Sequence, residues 1–506
     1  MKTDSSPDPS PPPDPPPGKR VTIGNLVKES TIYGLVKIVD PAIGFLLLPI
    51  MSVLLTPEEY GFIGFFTATS TVVFTLVSLG IHQAFLRFFT EAQTPQQGSR
   101  VAGTAVLLAI GYWATILPFG WLLARPLAGT LFNQTSPALI YTLLVLALVE
   151  TLDALGCNLL QASGRAWAFL VATLVNVLAV RLIALALVVA GCGAIGWIVG
   201  ESLGRMVAMA VILAIAMRGV RFRVDVTEAK QMSWYGMMLV PAMLSFYVMA
   251  ISDKYLLRFL ADDSFAAIGF YGIGERIAAI MHLTNMAIIL AWQRFAFRNM
   301  HERGGGKQIA DGMQLYAAFA GFVALGLMTL GDDLLRWVID PSYAPGFPVI
   351  VPLTLAAWVG GLANVCDIGL HKQRRPQWIS VIVTLSAILN IAANACAIPL
   401  YGFLGAAWAT LASQCVRLVA MFVASQAAFR IPLPIGRVFW LGVVFGCVFL
   451  TGQIITRVMG DNLVSVGLQV IVIVALPLAL WAVPIWDTDH RQWVRGRVGK
   501  LLGRAA

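Results

Sequence analysis

The stretch 253-DKYLLRFLADDSFAAIGFYGIGER-276 decides how this chain is organised. It forms the polar turn between two long apolar segments, and it places charged side chains well inside hydrophobic sequence. A charged side chain at the centre of a bilayer costs about 2.5–3.5 kcal/mol on insertion scales, so such groups usually face a protein interior or a water-filled cavity. The hairpin is therefore predicted to line the functional site through two groups of each sign, Asp253, Lys254, Glu275 and Arg276.

Composition places the chain in a membrane. Of its 506 residues, 58% are hydrophobic and only 12% are charged, whereas a soluble domain carries about 25% charge. The six cysteines form no CxxC pair, so they are predicted to be small core residues rather than disulfide or zinc partners. No P-loop or HExxH motif occurs in the sequence. No cofactor is expected, and any step that needs energy would have to draw on an ion gradient or on consumption of the product.

Apolar windows of roughly 20 residues recur from about Asn25 onward, each long enough to cross about 30 Å of hydrocarbon at 1.5 Å per residue. The chain is therefore predicted to be an all-α polytopic membrane protein with about fourteen transmembrane helices. The predicted spans are 26–55, 60–89, 100–124, 137–162, 166–190, 194–217, 231–257, 264–297, 308–331, 347–371, 377–398, 403–429, 436–457 and 463–486.

Positive charge falls mainly on one side of the predicted membrane. Because cytoplasmic loops retain Lys and Arg, the richer side is predicted to be cytoplasmic and to carry both termini. The net charge of +9 follows mostly from this bias, so no nucleic-acid partner is expected. The predicted outer connections, with the span ends beside them, hold only Arg125, Arg258, Arg336 and Arg457.

The sequence repeats itself at a spacing of roughly 210 residues. The motif 60-YGFIG-64 opens the second span much as 268-IGFYG-272 opens the eighth, and 205-RMVAM-209 is echoed by 417-RLVAM-421. Since six crossings return the chain to the cytoplasmic side, this duplication predicts two six-helix halves in the same orientation. Such halves handle substrate between them and alternate access by rocking.

Six regions follow from the spans and the repeat. The first region, a proline-rich tail, can bury almost no apolar surface and is expected to be disordered. The two helices that follow the second bundle are expected to close a lateral opening or hold a lipid tail. The regions are a proline-rich cytoplasmic tail (1–24), a six-helix bundle (25–217), a cytoplasmic linker (218–230), a second six-helix bundle (231–430), two additional transmembrane helices (431–487) and a basic cytoplasmic tail (488–506).

Six positive side chains lie inside predicted spans of both halves. Arg and Lys pair well with phosphate oxygens where the dielectric is low, so these side chains are predicted to line a central cavity that binds an anionic headgroup. The predicted substrate-binding residues are Lys37, Arg181, Arg205, Lys254, Arg276 and Arg417.

Acidic side chains in the spans are candidates for coupling to H⁺ or Na⁺. Glu150 and Asp153 share one helical face, which brings two carboxylates together; the alternative is that they form salt bridges with Lys37 or Arg181. No metal site is expected. The predicted ion-coupling residues are Asp40, Glu150, Asp153, Asp253 and Glu275.

Two further pairs have a structural alternative. Lys37 and Asp40 lie on one face just before Pro41, so they form either a gating pair beside a helix bend or a structural ion pair. Glu201 and Arg205 lie four residues apart with the acid first, the favourable helical order, and are predicted to be a structural pair.

The hairpin also resembles a known family. The run from Asp253 to Leu257, followed by 267-AIGFYGIGERI-277, is similar to the seventh and eighth helices of Wzx-type flippases of the polysaccharide transporter family, within the MOP (MATE-like) superfamily. The segments 54-LLTPEEYG-61 and 85-FLRF-88 resemble the first two helices of that family. The resemblance covers residues 25 to about 430.

This resemblance implies a V-shaped transporter of two six-helix MATE-like bundles plus two C-terminal helices. It would flip a polyprenyl-diphosphate-linked oligosaccharide from the cytoplasmic to the periplasmic leaflet of a bacterial inner membrane, for exopolysaccharide, capsule or O-antigen synthesis. Its partners would be that lipid-linked saccharide, membrane lipid, and a polysaccharide polymerase with export machinery.

Three alternatives stay open. A MATE-type drug or cation antiporter shares the fold, but buried cations disfavour a cationic cargo. A lipid II flippase of the MurJ type also has fourteen spans, yet the eighth span here lacks a comparable match in arginines. A polytopic glycosyltransferase or polymerase would need larger outer loops than these, so the chain is expected not to be an enzyme.

Overall fold

The computed structural model describes residues 39–482, apart from 219, 221, 223, 301, 303, 374, 434 and 461. The predicted tails and Lys37 lie outside the described residues. Within them the chain is overwhelmingly helical and contains no strand, which confirms the predicted all-α fold.

The helices follow one another through short connections. In chain order they are α1 (residues 39–46 and Leu48–Leu54), α2 (Pro57–Ser78), α3 (Ile81–Glu91), α4 (Pro95–Phe132), α5 (Ala138–Ala162), α6 (Ala166–Leu187), α7 (Gly193–Ala216), α8 (Val226–Leu260), α9 (Ser264–Asn299), α10 (Gly305–Val338), α11 (Ile350–Cys366), α12 (Ile368–Lys372), α13 (Pro376–Ala428), α14 (Ile435–Met459) and α15 (Leu463–Ala482). We refer to α1–α7 as the first half and to α8–α13 as the second half.

Local sequence explains where α2 begins and ends. Thr56 and Glu59 form a capping box, in which Thr56 Oγ1 accepts from the Glu59 amide at 3.2 Å and Glu59 Oε2 accepts from the Thr56 amide at 3.0 Å. Pro57 occupies the first turn, where no amide donor is needed. Leu79 and Gly80 are both left-handed, with φ of 45° and 69°, so the predicted span 60–89 is two helices, not one.

A glycine turn recurs at equivalent places in the two halves. Gly193 has φ 54° and ψ −146°, and Gly402 has φ 57° and ψ −139°, a backbone conformation that is accessible to glycine alone. Each turn folds a helical stretch back on itself. In the first half Gly200 packs against Ala184, and in the second the side chain of Asn390 reaches Thr410. The two turns match the proposed duplication.

Nine helical stretches in the described part of the chain are long and apolar enough to cross a membrane by length and composition. Two of them, Ala166–Ala216 and Gln377–Ala428, contain 51 and 52 residues. A straight helix of that length would span over twice the hydrocarbon core, so each is a hairpin around its glycine turn. The polytopic fold is confirmed, and the number fourteen stays a prediction, as do the domain boundaries.

The repeated glycine motifs bring the halves together. A Cβ added to Gly61 on α2 would lie 1.7 Å from the Phe265 carbonyl, and one on Gly269 of α9 would lie 2.0 Å from the Pro57 carbonyl, so the two backbones are in direct contact. At the other end of α2, a Cβ on Gly236 would lie 2.6 Å from the Leu79 carbonyl. The halves therefore touch at both ends of α2.

The last two helices pack against α10. Gly321 accommodates the ring of Phe445, and Gln469 Nε2 donates to Asp333 Oδ2 at 2.6 Å and to Thr456 Oγ1 at 2.6 Å. These buried polar contacts join α10, α14 and α15.

The prediction that all six cysteines are core residues is wrong. Cys366 is buried and Cys157 is half-buried, whereas Cys192, Cys396, Cys415 and Cys447 are exposed. The physical reason is that the outer surface of a membrane protein faces acyl chains. Moving an apolar side chain from the acyl chains into the protein interior therefore gains little free energy.

Candidate functional site

A cavity of about 1210 Å³ lies between the two halves, and we call it the central cavity. It is larger than ordinary small-molecule pockets, which measure about 300–1,000 Å³. Helices α1, α2, α6 and α7 line it from the first half, and α8, α9, α11 and α13 from the second. Its wall includes five of the six predicted cations, Arg181, Arg205, Lys254, Arg276 and Arg417.

Three of these cations are neutralised by carboxylates. Glu150 was expected to pair with Lys37 or Arg181 if it was structural, but its partner is Arg205. Lys254 pairs with Glu275. Asp253, the residue before Lys254, instead accepts hydrogen bonds from neutral groups. The ion pairs are Arg181 with Asp40 (2.8 Å), Lys254 with Glu275 (2.8 Å), and Arg205 with Glu201 and Glu150 (2.7 and 3.0 Å).

Arg276 and Arg417 differ from the other three. Among the described residues, no carboxylate lies within 4 Å of either guanidinium. Arg276 Nε donates to the Tyr60 hydroxyl at 3.2 Å, and Arg417 Nη2 donates to the Gly360 carbonyl and to Asn364 Oδ1, both at 2.7 Å. Since a guanidinium has five N–H donors, both retain donors for a ligand. Within the described wall, these are the two positive charges with no carboxylate in ion-pair contact. Glu275 and Asp40 act on Arg276, and Asp367 on Arg417, from farther away.

Asp253 lies in the wall of the central cavity, where neutral donors surround its carboxylate. Its carboxylate accepts from the Tyr271 hydroxyl, from Thr410 Oγ1 at 2.9 Å and from Asn394 Nδ2 at 2.8 Å. Asn390 extends the network, because its amide donates to Thr410 and Ser413. Asn394 and Thr410 were not found from the sequence. The signal for Asn394 was its position four residues after Asn390 in an apolar segment, which puts two amides on one helical face.

A second, smaller cavity of about 330 Å³ lies within the first half, and we call it the side cavity. Glu150 and Asp153 of α5 both face it, as does Arg205 of α7. Asp153 Oδ1 accepts from Asn176 Nδ2 at 3.1 Å, and Glu150 Oε1 accepts from Ser70 Oγ at 3.3 Å. The two carboxylates that share a helical face therefore lie together beside space large enough for water.

The halves are joined across the end of the molecule that was predicted to be outer. Tyr343 Oη donates to the Leu55 carbonyl at 2.9 Å, and the Asp340 amide donates to Ser52 Oγ at 3.1 Å. Arg258 bridges the same end, since it donates to Asn133 Oδ1 at 2.6 Å and to the Leu131 carbonyl at 2.7 Å. Together with the α2–α9 contact, these bonds join the two halves at that end.

Chemically, this arrangement can hold a large anionic group. The central cavity offers two arginines with spare donors and three further cations whose carboxylates are exchangeable partners. In the described part of the chain, no group of three or more His, Cys, Asp or Glu side chains could hold a metal ion.

Comparison with protein families identifies the chain. Residues 26–292 match the family described as polysaccharide biosynthesis protein, which is more than half of the sequence. The chain belongs to this family. No curated protein sequence matches it.

Solved structures share the fold of this family member. Lipid II flippase MurJ, in an inward closed conformation, superposes with a TM-score of 0.70 at 13% identity, covering 90% of this chain and 99% of MurJ. An inward-facing multidrug resistance MATE family transporter of the MOP superfamily gives 0.62 at 12% identity, covering 81% and 99%. The Vibrio cholerae MATE transporter VcmN in the bent form gives 0.50 at 14% identity, covering 81% and 98%.

At these identities the structural matches establish the fold alone. The family match confirms the resemblance to a polysaccharide family, and the fold is the one shared by MurJ and by a MATE transporter of the MOP superfamily. Family and fold point to a multi-pass membrane transporter.

Proposed function

We propose that this protein flips a polyprenyl-diphosphate-linked oligosaccharide from the cytoplasmic to the periplasmic leaflet of a bacterial inner membrane, by alternating access of the central cavity. The observation that carries the proposal is the pair Arg276 and Arg417, which line a cavity of about 1210 Å³ with no carboxylate in ion-pair contact among the described residues.

A diphosphate suits these two groups. Arginine binds phosphate oxygens through two parallel N–H donors, and it does so best where water is excluded. Arg276 lies on α9 and Arg417 on α13, so an anion held between them would touch two helices of the second half. The same charges would repel a cationic drug, which makes a MATE-type antiporter the weaker alternative.

The remaining cations supply a second layer of attraction. Arg181 and Lys254 each lie 2.8 Å from one carboxylate at the cavity wall, and these pairs can open when a phosphate competes for the cation. We propose Asp40, Asp253 and Glu275, with Glu150 and Asp153, as the groups through which an H⁺ or Na⁺ gradient acts. The saccharide would occupy the cavity while the prenyl chain stays in lipid.

The test is a flipping assay in vesicles that contain the purified full chain and a fluorescent polyprenyl-diphosphate disaccharide. A hydrogen bond to a charged group is worth about 1.5–3 kcal/mol, equivalent to about 10- to 100-fold in affinity. Arg276→Ala and Arg417→Ala should therefore each lower the rate at subsaturating lipid by about tenfold or more. The flipping rate of Arg417→Lys should lie between those of the wild type and Arg417→Ala, since lysine keeps the positive charge and loses the planar guanidinium.

The matched control is Arg336→Ala, which removes an arginine that pairs with Asp332 outside both cavities. It should flip at the wild-type rate. A wild-type rate in the double variant Arg276→Ala/Arg417→Ala would remove the proposed mechanism.

A further inference from the structure

Arg205 lines both the central cavity and the side cavity. Its Nη2 lies 2.7 Å from Glu201 Oε1, which faces the central cavity, and its Nη1 lies 3.0 Å from Glu150 Oε1, which faces the side cavity. The three side chains are 29%, 9% and 16% exposed, in the order Arg205, Glu201, Glu150. One guanidinium therefore forms part of the wall between the two spaces.

The charges around Arg205 do not balance. Glu201 on α7 and Glu150 and Asp153 on α5 provide three carboxylates, against one guanidinium. The other described elements around the side cavity bring only neutral groups: Ser70, Thr71 and Phe74 from α2, Asn176 from α6 and Tyr247 from α8.

With all three acids ionised, the described residues leave two negative charges uncompensated in a largely buried place. Uncompensated buried charge is strongly unfavourable, so positive charge must enter from outside the protein. Protons and small alkali cations are the species that fit a space of about 330 Å³ lined by carboxylate, hydroxyl and amide oxygens.

We propose that the side cavity binds a monovalent cation, a proton or Na⁺, on the carboxylates of Glu150 and Asp153, and that this binding releases Arg205 toward the phosphate of a cargo in the central cavity. The proposal rests on the proposed function for the identity of that cargo. Once Glu150 is neutralised, Arg205 keeps a single acidic partner, Glu201, on the side of the central cavity.

The coupling must run in both directions. If the cation raises the affinity for the anionic cargo, the cargo raises the affinity for the cation by the same factor. An anion that draws Arg205 away from Glu150 leaves that carboxylate free to take up a cation. Cation and anion would then enter together, and the cation would offset part of the negative charge that the cargo brings into the cavity.

The experiment measures pyrophosphate binding by calorimetry to the full chain in nanodiscs of phosphatidylcholine and phosphatidylglycerol, at constant ionic strength. One arm replaces choline by Na⁺ at pH 8, and the other lowers the pH to 6 without Na⁺. In the wild type, one of these changes should tighten pyrophosphate binding by about fivefold or more. The arm that responds identifies Na⁺ or the proton as the cation.

Glu150→Gln mimics the neutralised carboxylate. It should bind pyrophosphate tightly in choline at pH 8 and respond to neither change. Arg205→Gln should also lose the response, with weak binding throughout. Glu91→Gln, which alters an exposed ion pair with Arg87, is the matched control and should respond like the wild type. Protonation of pyrophosphate itself is the same for every variant and cancels in the comparison.

A response to Na⁺ or pH in Glu150→Gln equal to that of the wild type would overturn the proposal. If the wild type binds no pyrophosphate under any condition, the anionic cargo of the proposed function is wrong. The side cavity is then judged by thermal unfolding. The cation must raise the unfolding temperature of the wild type and Glu91→Gln but not of Glu150→Gln, and equal shifts in all three would refute it.

Discussion

Buried carboxylates are handled in two different ways in the two halves. In the first half, Glu150 forms a direct ion pair with Arg205 beside the side cavity, and Arg205 is shared with Glu201. In the second half, Asp253 is surrounded by a hydroxyl of Tyr271, a hydroxyl of Thr410 and an amide of Asn394. Both helices of the glycine-turned hairpin contribute to each arrangement, α6 and α7 in the first case and the two arms of α13 in the second.

This difference teaches what each carboxylate can do. A charge stabilised by another charge can exchange its partner, because a cation or an anion that enters the cavity competes directly for it. A charge stabilised by fixed dipoles has no single partner to lose, and breaking its network leaves several donors unsatisfied. Glu150 is therefore suited to exchange its partner, and Asp253 is suited to stay in place.

The largest expected effect comes from removing the shared arginine. Arg205→Met leaves Glu150 and Glu201 without their counter-charge, although their side chains are only 16% and 9% exposed. Breaking a buried ion pair by deleting one partner costs about 3–5 kcal/mol. Thermal unfolding in detergent should show this variant to be far less stable than the wild type.

Two comparisons make that prediction specific. Arg181→Met should cost much less, because its partner Asp40 has a side chain that is 52% exposed and exposed pairs contribute about 0–1 kcal/mol. The triple variant Arg205→Met/Glu150→Gln/Glu201→Gln should recover most of the lost stability. Equal losses for Arg205→Met and Arg181→Met would show that the first half does not depend on its buried pair.

A smaller effect is expected from the second-half carboxylate. Asp253→Ala removes the acceptor of three donors, and each unsatisfied buried group costs about 1–3 kcal/mol, so a loss of about 3 kcal/mol is expected. Asp153→Ala leaves one described donor, the Asn176 amide, without its acceptor. Because the side cavity beside it has room for water to take the place of the carboxylate, a loss of about 1 kcal/mol in stability is expected. Chemical unfolding of the two variants side by side measures the difference, and matching losses would contradict the contrast between the halves.

The sequence predicted the class of fold well and the partners within the site less well. The apolar windows and the family resemblance depend on local pattern, and the helices follow those windows apart from the break at Leu79 and Gly80. The contact between Gly61 on α2 and Phe265 on α9 was not predicted. Counting buried charges located five residues that line one cavity. The pattern could not say that Arg205 faces Glu150 on α5, since that depends on how α5 and α7 are rotated against each other.

Neutral partners were harder still to find from the sequence. Asn394 and Thr410 bind Asp253, yet the spacing of Asn394 from Asn390 is a weak signal and Thr410 has none. Their role depends on the turn at Gly402, which folds the second arm of α13 back against the first. Charge is conspicuous in a membrane sequence because it is costly, whereas hydrogen-bonding amides and hydroxyls are tolerated singly.

The glycine turns provide the finest comparison of the halves and the smallest expected effect. Gly193 and Gly402 adopt nearly the same dihedral angles, at which a side chain costs about 1–3 kcal/mol. A Cβ on Gly402 would meet nothing within 4 Å, so Gly402→Ala should show the backbone cost alone. A Cβ on Gly193 would lie 2.4 Å from Glu59 Oε1, so Gly193→Ala should cost the same amount plus the displacement of that carboxylate.

The control is Gly442→Ala on α14, which has an ordinary helical backbone and nothing within 4 Å of the added Cβ. It should be neutral or slightly stabilising, since alanine is the better helix former. Thermal unfolding of the three variants, with Gly193→Ala also measured against Glu59→Ala alone, separates the backbone cost from the clash and from the loss of the α2 capping box. If Gly193→Ala costs as much in the Glu59→Ala background as Gly402→Ala costs in the wild type, the two halves share one turn geometry, and a persistent difference would mean that the duplicated hairpins have diverged in backbone as well as in charge.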